Sequence, residues 1–324
     1  MKGRHTVIVR NKRVRFTLEL ERNITVLRGD SATGKTTMVG MLRDYEELGN
    51  QSGVSVESDY PCRILSGMQW EERLHTISNS IVFVDEGNSF VSSQAFAEAI
   101  KRTNNYYVLV TRESLYQLPY SVESVLELRK VTSRSSNNIK CTYNKTYPYY
   151  KTVSRIEEQI DGFQRILTED SRAGHQFFSR VAEDHMIKCD SAGGKSNIYK
   201  NLASEHNTRT LVIADGAAFG ADMEKVHRFC EMNHEQTVLY LPESFEWLIL
   251  RAGVLRSTEL EEILRDPGKY IDSERFFSWE QYFTDLLVNL SKQRDYTRYS
   301  KDYLAPFYFQ MENVQKIIAA MSKE

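Results

Sequence analysis

Residues 29–36 read Gly-Asp-Ser-Ala-Thr-Gly-Lys-Thr and satisfy every fixed position of the pattern G-x-x-x-x-G-K-[ST]. The run follows the apolar stretch Ile24 to Leu27 and precedes a helical pattern over Lys35 to Leu48, so the chain is expected to pass there from strand to helix. A strand that feeds a helix through a glycine-rich turn belongs to a mostly parallel sheet covered by helices. The chemistry follows from the same residues. A backbone free of side-chain bulk can wrap a phosphate, and successive N–H groups and the positive end of a helix supply donors. Gly29, Asp30, Ser31, Ala32, Thr33, Gly34, Lys35, Thr36 and Thr37 are therefore the expected nucleotide contacts, with Lys35 reaching the β and γ phosphates and the Thr36 hydroxyl ligating Mg²⁺. ATP with Mg²⁺ is the expected ligand.

Fifty residues beyond Lys35, the apolar run Ile81 to Val84 ends in Asp85 and Glu86. A buried parallel strand delivers acids to its carboxyl end in this way, as a Walker B strand does. Asp85 is expected to hold Mg²⁺ through water and Glu86 to orient the attacking water. The order of loop, helix, strand, helix, acidic strand, helix and strand from Thr6 to Val131 resembles the additional-strand, catalytic-glutamate division of P-loop ATPases. In that division the next strand carries a polar sensor of the γ-phosphate. Here it offers Thr111 with Arg112 behind it, although such a tip equally serves as a strand cap. Leu65-Ser66-Gly67-Met68-Gln69 looks like the ABC ATPase signature, but it lies too close to Lys35 for that family's helical insert, and Ile64-Leu65 reads as strand. A P-loop kinase is a further alternative, opposed by Glu86 and by the lack of an arginine-rich lid after the acidic strand.

A second strand and helix alternation runs from about Glu157 to Ser244, and the patterns beyond it are helical. The segments ILTEDSRAGHQFF, SAGGKSNI, LVIADGAAFG and LPESFEWLI resemble, in order and spacing, a Toprim domain of the kind found in overcoming-lysogenisation-defect (OLD) nucleases and related ATPase-Toprim proteins. The resemblance implies an acidic metal site formed by Glu169, Asp215 and Glu246, with the Gly193-Gly194-Lys195 turn beside it. Glu169 and Asp215 would join Lys35, Asp85 and Glu86 as catalytic groups. Carboxylates gathered at strand ends suit Mg²⁺ or Mn²⁺, which can activate water against a phosphodiester. The chain departs from the family where a second aspartate is Ala217 and where an often acidic position is Ala173. Asp170, Asp190 or Asp222 would have to compensate. The alternatives are a metal-dependent nuclease controlled by ATP, or an ATP-dependent switch whose Toprim-like part binds partners without catalysis.

The expected organisation is α/β: a P-loop NTPase domain over 1–131, a basic tyrosine-rich linker over 132–156, a smaller Toprim-like α/β domain over 157–250 and a helical region over 251–324. From Leu128 to Lys151 there are six basic residues, no acids and four tyrosines, which fits either a nucleic-acid contact or a solvated connector. Net charge is -2, so any binding of DNA or RNA must come from such a local patch. A protein partner or a second copy of the chain is the other expected class of contact. No apolar run reaches the length of a membrane span, the N-terminus has no apolar leader, and the four cysteines are widely spaced. A cytoplasmic protein with reduced thiols and no membrane contact is expected.

Overall fold

Alternation of apolar and polar residues over 5–20 makes a two-stranded ribbon. β1 (His5–Arg10) and β2 (Val14–Leu20) pair antiparallel, with Arg10 opposite Arg15, and the Asn11 side chain closes the turn by accepting from the N–H groups of Arg13 and Val14. The computed structural model describes residues 1–30, 33–131, 141–151, 156, 159–205, 207–292 and 295–322. They divide into two compact units, Met1–Lys151 with Asp266–Ser278, and Thr152–Arg265 with Trp279–Glu324.

In the first unit, β3 (Ile24–Arg28) leads through residues 29–34 into α1 (Lys35–Leu48). β4 (Ser55–Glu57), β5 (Cys62–Ile64), α2 (Trp70–His75), β6 (Ile81–Val84), α3 (Gln94–Ile100), β7 (Tyr106–Val110), β8 (Val125–Val131) and β9 (Thr142–Pro148) follow. The sheet has the order β4-β1-β2-β9-β8-β3-β7-β6-β5. Its β5, β6, β7, β3 and β8 run parallel, which puts the carboxyl ends of β3, β6 and β7 on one edge. Those three strands are buried throughout, as expected for strands covered on both faces. Val7, Val9, Phe16 and Leu18 pack with Met38, Val39 and Leu42 of α1 in the core.

Two local expectations change. Val54 to Val56 and Cys62 to Leu65 read as a short strand pair, yet β4 and β5 form opposite edges of the sheet, β4 held by β1 and β5 by β6. The tyrosine-rich stretch read as a linker contributes β9, which pairs parallel with β2 and antiparallel with β8. Arg134 and Lys140 of that stretch lie outside the described residues.

The second unit holds a four-stranded parallel sheet, β11-β10-β12-β13, built from β10 (Arg165–Thr168), β11 (Lys188–Ser191), β12 (Thr210–Ile213) and β13 (Thr237–Tyr240). Its helices α4 (Ala173–Asp184), α5 (Ile198–Ser204) and α6 (Met223–Met232) alternate with the strands. α7 (Phe245–Arg251), α8 (Thr258–Arg265), α9 (Trp279–Ser291) and α10 (Met311–Ala320) follow, and α9 and α10 both pack on α7. Both sheets confirm the α/β class with a large, mostly parallel sheet. Among the described residues, no helix is long and apolar enough to cross a membrane, and the four cysteines are free thiols.

One backbone approach fixes the end of β12. Gly216 donates its N–H to the Pro242 carbonyl at 2.7 Å, and a Cβ added there would lie 2.9 Å from the Leu241 oxygen and 3.0 Å from the Pro242 oxygen. Backbone atoms cannot swing aside as a flexible side chain does. Gly216→Ala is expected to cost about 1 to 3 kcal/mol of stability by overpacking, read as a lowered thermal midpoint. An unchanged midpoint would show that this turn is pliable.

Candidate functional site

Gly29 and Gly34 both adopt positive φ, +114° and +94°, which fits the glycines of a tight loop. Gly34 is further constrained, because an added Cβ would sit 3.0 Å from the Phe16 ring. The loop closes on its own lysine: Lys35 Nζ donates to the Gly29 carbonyl at 2.8 Å, the Asp30 carbonyl at 2.9 Å and Thr33 Oγ1 at 2.9 Å. Lys35 is buried, and burial lowers its pKa despite the opposing charge of Glu86. Gly34 caps α1 without a side-chain acceptor, so the first-turn N–H groups lack that internal partner. Thr36 and Thr37 stand exposed on this turn; Ser31 and Ala32 lie outside the described residues.

The ends of β6 and β7 bring the remaining expected residues to the same edge. Asp85 Oδ1 accepts from the Glu86 N–H at 2.9 Å, and Asn88 bonds the Asp85 carbonyl at 2.8 Å, which fixes the acidic turn. Glu86 Oε1 lies 3.0 Å from Arg112 Nε, both half-exposed. Thr111 Oγ1 accepts from the Glu113 N–H at 3.0 Å, so its hydroxyl caps the turn after β7. Glu86, Arg112 and Asp30 all act electrostatically on Lys35. A glycine-rich loop, a helix N-terminus, two acids and an arginine on one sheet edge form an arrangement suited to polyphosphate and a hard cation. The donor set fits a nucleotide with Mg²⁺: backbone N–H groups and Lys35 for phosphate, Thr36 and Asp85 for the ion.

The second unit gathers a separate acidic pocket at the carboxyl ends of β10 and β12, lined among others by Glu169, Asp215, Glu246, Tyr299 and Lys301. Glu169 Oε2 accepts from the Asp215 N–H at 3.0 Å, and Asp215 Oδ1 accepts from the Phe245 N–H at 3.2 Å. The Gly193-Gly194-Lys195 turn anchors nearby: the Gly194 N–H donates to the Glu169 carbonyl at 2.8 Å, and Lys195 Nζ to the Ala218 carbonyl at 2.7 Å. Burial pushes Glu169 up to about 7, and burial together with Glu280, Glu169 and Glu246 raises Asp215 well above the carboxylate range. The Asp215 N–H opposes the rise at Glu169, while the Glu169 charge adds to the rise at Asp215.

Sequence reasoning expected Glu246 but missed Glu280, Tyr299 and Lys301. Glu246 is buried, and its Oε1 accepts from the Tyr299 hydroxyl at 2.7 Å and lies 3.9 Å from Lys301 Nζ. Lys301 also pairs with Glu280. Burial alone would depress the Lys301 ammonium, but Glu246 and Glu280 outweigh it and hold the group well above its ordinary range. An internal cation therefore stands among the carboxylates. Of the aspartates considered as compensating ligands, Asp190 pairs with Arg165 at 2.7 Å and Lys188 at 2.9 Å, Asp222 stands at the start of α6, and Asp170 lines the pocket, where its Oδ1 accepts from the Arg172 N–H. Ala217 is buried and offers no oxygen from its side chain. Among the described residues, no three His, Cys, Asp or Glu side chains converge as a metal-ligand set. Only the spacing Tyr299-x-Lys301, two polar groups in an irregular segment, signals this contribution in the sequence.

No protein-family model matches the chain, and no curated protein matches it.

Proposed function

We propose that the protein binds ATP with Mg²⁺ at residues 29–37, hydrolyses it, and uses its nucleotide state to switch a Toprim-like second unit that docks a partner. The observation that carries this reading is Lys35, held by three oxygens of the 29–34 loop at the N-terminus of α1, on the edge where Asp85, Glu86 and Arg112 emerge. Loop N–H groups and Lys35 would hold the phosphates, while Thr36 and Asp85 would hold Mg²⁺, which supplies charge stabilisation at the transferred phosphoryl group. Glu86 is the residue to orient water, and its ion pair with Arg112 holds it at the β6 end. Replacing Glu86 by glutamine removes the charge and keeps the shape. Glu86→Gln is expected to preserve ATP binding and to lower phosphate release by about 100-fold or more, the scale of general-base loss. Equal hydrolysis by both proteins would assign the water to another group, and labelled γ-phosphate on any acceptor other than water would favour a kinase.

For the second unit, the absence of a converged ligand set among the described residues and the position of Lys301 support an effector without metal chemistry. One observation favours the other reading, a metal-dependent nuclease acting on DNA or RNA: Glu246 Oε2 is buried with no hydrogen-bond partner, as a carboxylate kept for a cation would be. Cleavage of DNA or RNA that requires Mn²⁺ and disappears in Glu169→Gln and Asp215→Asn would establish that reading.

A further inference from the structure

Strand register brings basic and aromatic residues from distant parts of the chain onto one sheet face. Val7, Val9, Phe16, Leu18 and Asn144 point inward, so their strand neighbours point outward. Across the sheet Arg10 lies opposite Arg15, Arg15 opposite Tyr143, and Tyr143 opposite Val131. In the next row Thr17 lies opposite Lys145, and Lys145 opposite Arg129. Tyr147 extends the face, with the Arg129 guanidinium 5.4 Å from its ring centroid. Arg10, Arg129, Lys145 and Tyr147 are exposed. Three acids share the neighbourhood: Glu57 pairs with Arg10 at 2.9 Å, Glu127 pairs with Arg129, and Glu19 lies on the exposed side of β2. Among the described residues, no carboxylate pairs with Arg15 or Lys145.

We propose that this outer face of β1, β2, β9 and β8 is a docking surface for single-stranded nucleic acid. The inference is independent of the nucleotide-site and acidic-pocket readings. Charge complementarity carries it: four cations attract phosphates, and Arg15 and Lys145 are the two of them that no carboxylate among the described residues pairs with, while Arg10 is held only by the exposed Glu57 and Arg129 by the half-buried Glu127. Along β9 the order Tyr143, Lys145, Tyr147 alternates ring, cation and ring, with the rings about 13 Å apart along the strand. Unpaired bases stack on such rings, whereas the bases of a duplex stay stacked on each other. A sheet face that presents such rings therefore selects single strands.

The test is fluorescence anisotropy of the full chain with labelled oligothymidylate, oligouridylate and a matched DNA duplex, over a salt titration. Both single strands are expected to bind more tightly than the duplex. Arg15→Glu combined with Lys145→Glu is expected to weaken single-strand binding by about tenfold or more and to flatten its salt dependence. The milder Arg15→Gln with Lys145→Gln should shift binding in the same direction, which guards against a folding artefact. Tyr143→Ala with Tyr147→Ala should weaken single-strand binding and leave the duplex unaffected. Arg180→Glu, an exposed position of α4, should change nothing. Unchanged affinity in both charge variants, with circular dichroism and ATP binding retained, would overturn the proposal. So would tighter binding to the duplex, or binding to phosphatidylserine vesicles in place of the oligonucleotides. Loss of ATP binding in Lys35→Ala with oligonucleotide binding intact would separate this face from the nucleotide site.

Discussion

Lys35→Ala is expected to weaken Mg-ATP binding by about 100-fold or more, measured by titration calorimetry. A hydrogen bond from a charged donor contributes about 1.5 to 3 kcal/mol, and a lysine that meets two phosphate oxygens contributes twice. Tenfold in affinity corresponds to about 1.4 kcal/mol, so the loss spans roughly two to four decades. The same change removes the donor now shared by the Gly29 carbonyl, the Asp30 carbonyl and Thr33 Oγ1. Since the loop is itself organised by that ammonium, part of the loss will come from a looser loop. Lys35→Arg keeps the charge but replaces a compact ammonium with a planar fork, so it should recover only part of the affinity. ATP binding unaffected by Lys35→Ala would remove the basis of the proposed function.

Lys301→Met is expected to destabilise the second unit by about 2 to 4 kcal/mol, because removing one member of a largely buried ion cluster strands the other. Lys301 is 27% exposed and Glu246 1% exposed, so the stranded carboxylate is the deeper group. A urea titration reads the loss. Adding Glu246→Gln in the Lys301→Met background should return part of it, since the amide keeps a bond to Tyr299 without the unpaired charge. That coupling separates an electrostatic role from simple packing. Mn²⁺ distinguishes the two readings of the pocket. If Lys301 already serves as its cation, Mn²⁺ should leave the wild-type midpoint unchanged and raise that of Lys301→Met. A rise in the wild type would favour the metal-dependent reading.

The loop at 29–36 was legible because its information is local: two glycines, a lysine and a threonine at fixed spacing, between an apolar run and a helical period. The two-stranded ribbon and the helix over Lys35–Leu48 were legible for the same reason. Partners distant in sequence were not. Ser55–Glu57 and Cys62–Ile64 are too short to carry a signature of their neighbours, and proximity in sequence suggested that they pair. β9 was hidden by its own composition, since lysines and tyrosines on its outer side resemble a solvated connector. Its inner side shows only Asn144 as a fully buried residue. In the acidic pocket, Glu169, Asp215 and Glu246 were expected through the resemblance to a Toprim domain. Glu280, Tyr299 and Lys301 come from a helix and an irregular segment, where no period points toward a pocket.

The position of β9 has a consequence for how the chain assembles. In the sheet order, β1 and β2 join the central strands only through β9, whose partner Val14 is separated from Thr142 by more than a hundred residues. During synthesis the N-terminal ribbon therefore waits, with one edge bare, until residues 142–148 have been made. Long-range closure of this kind is slow, and unpaired edges invite contact with other chains in the interval. The strand read as a connector is thus the closing piece of the first unit's sheet. The rate of its insertion decides how long that unit remains vulnerable.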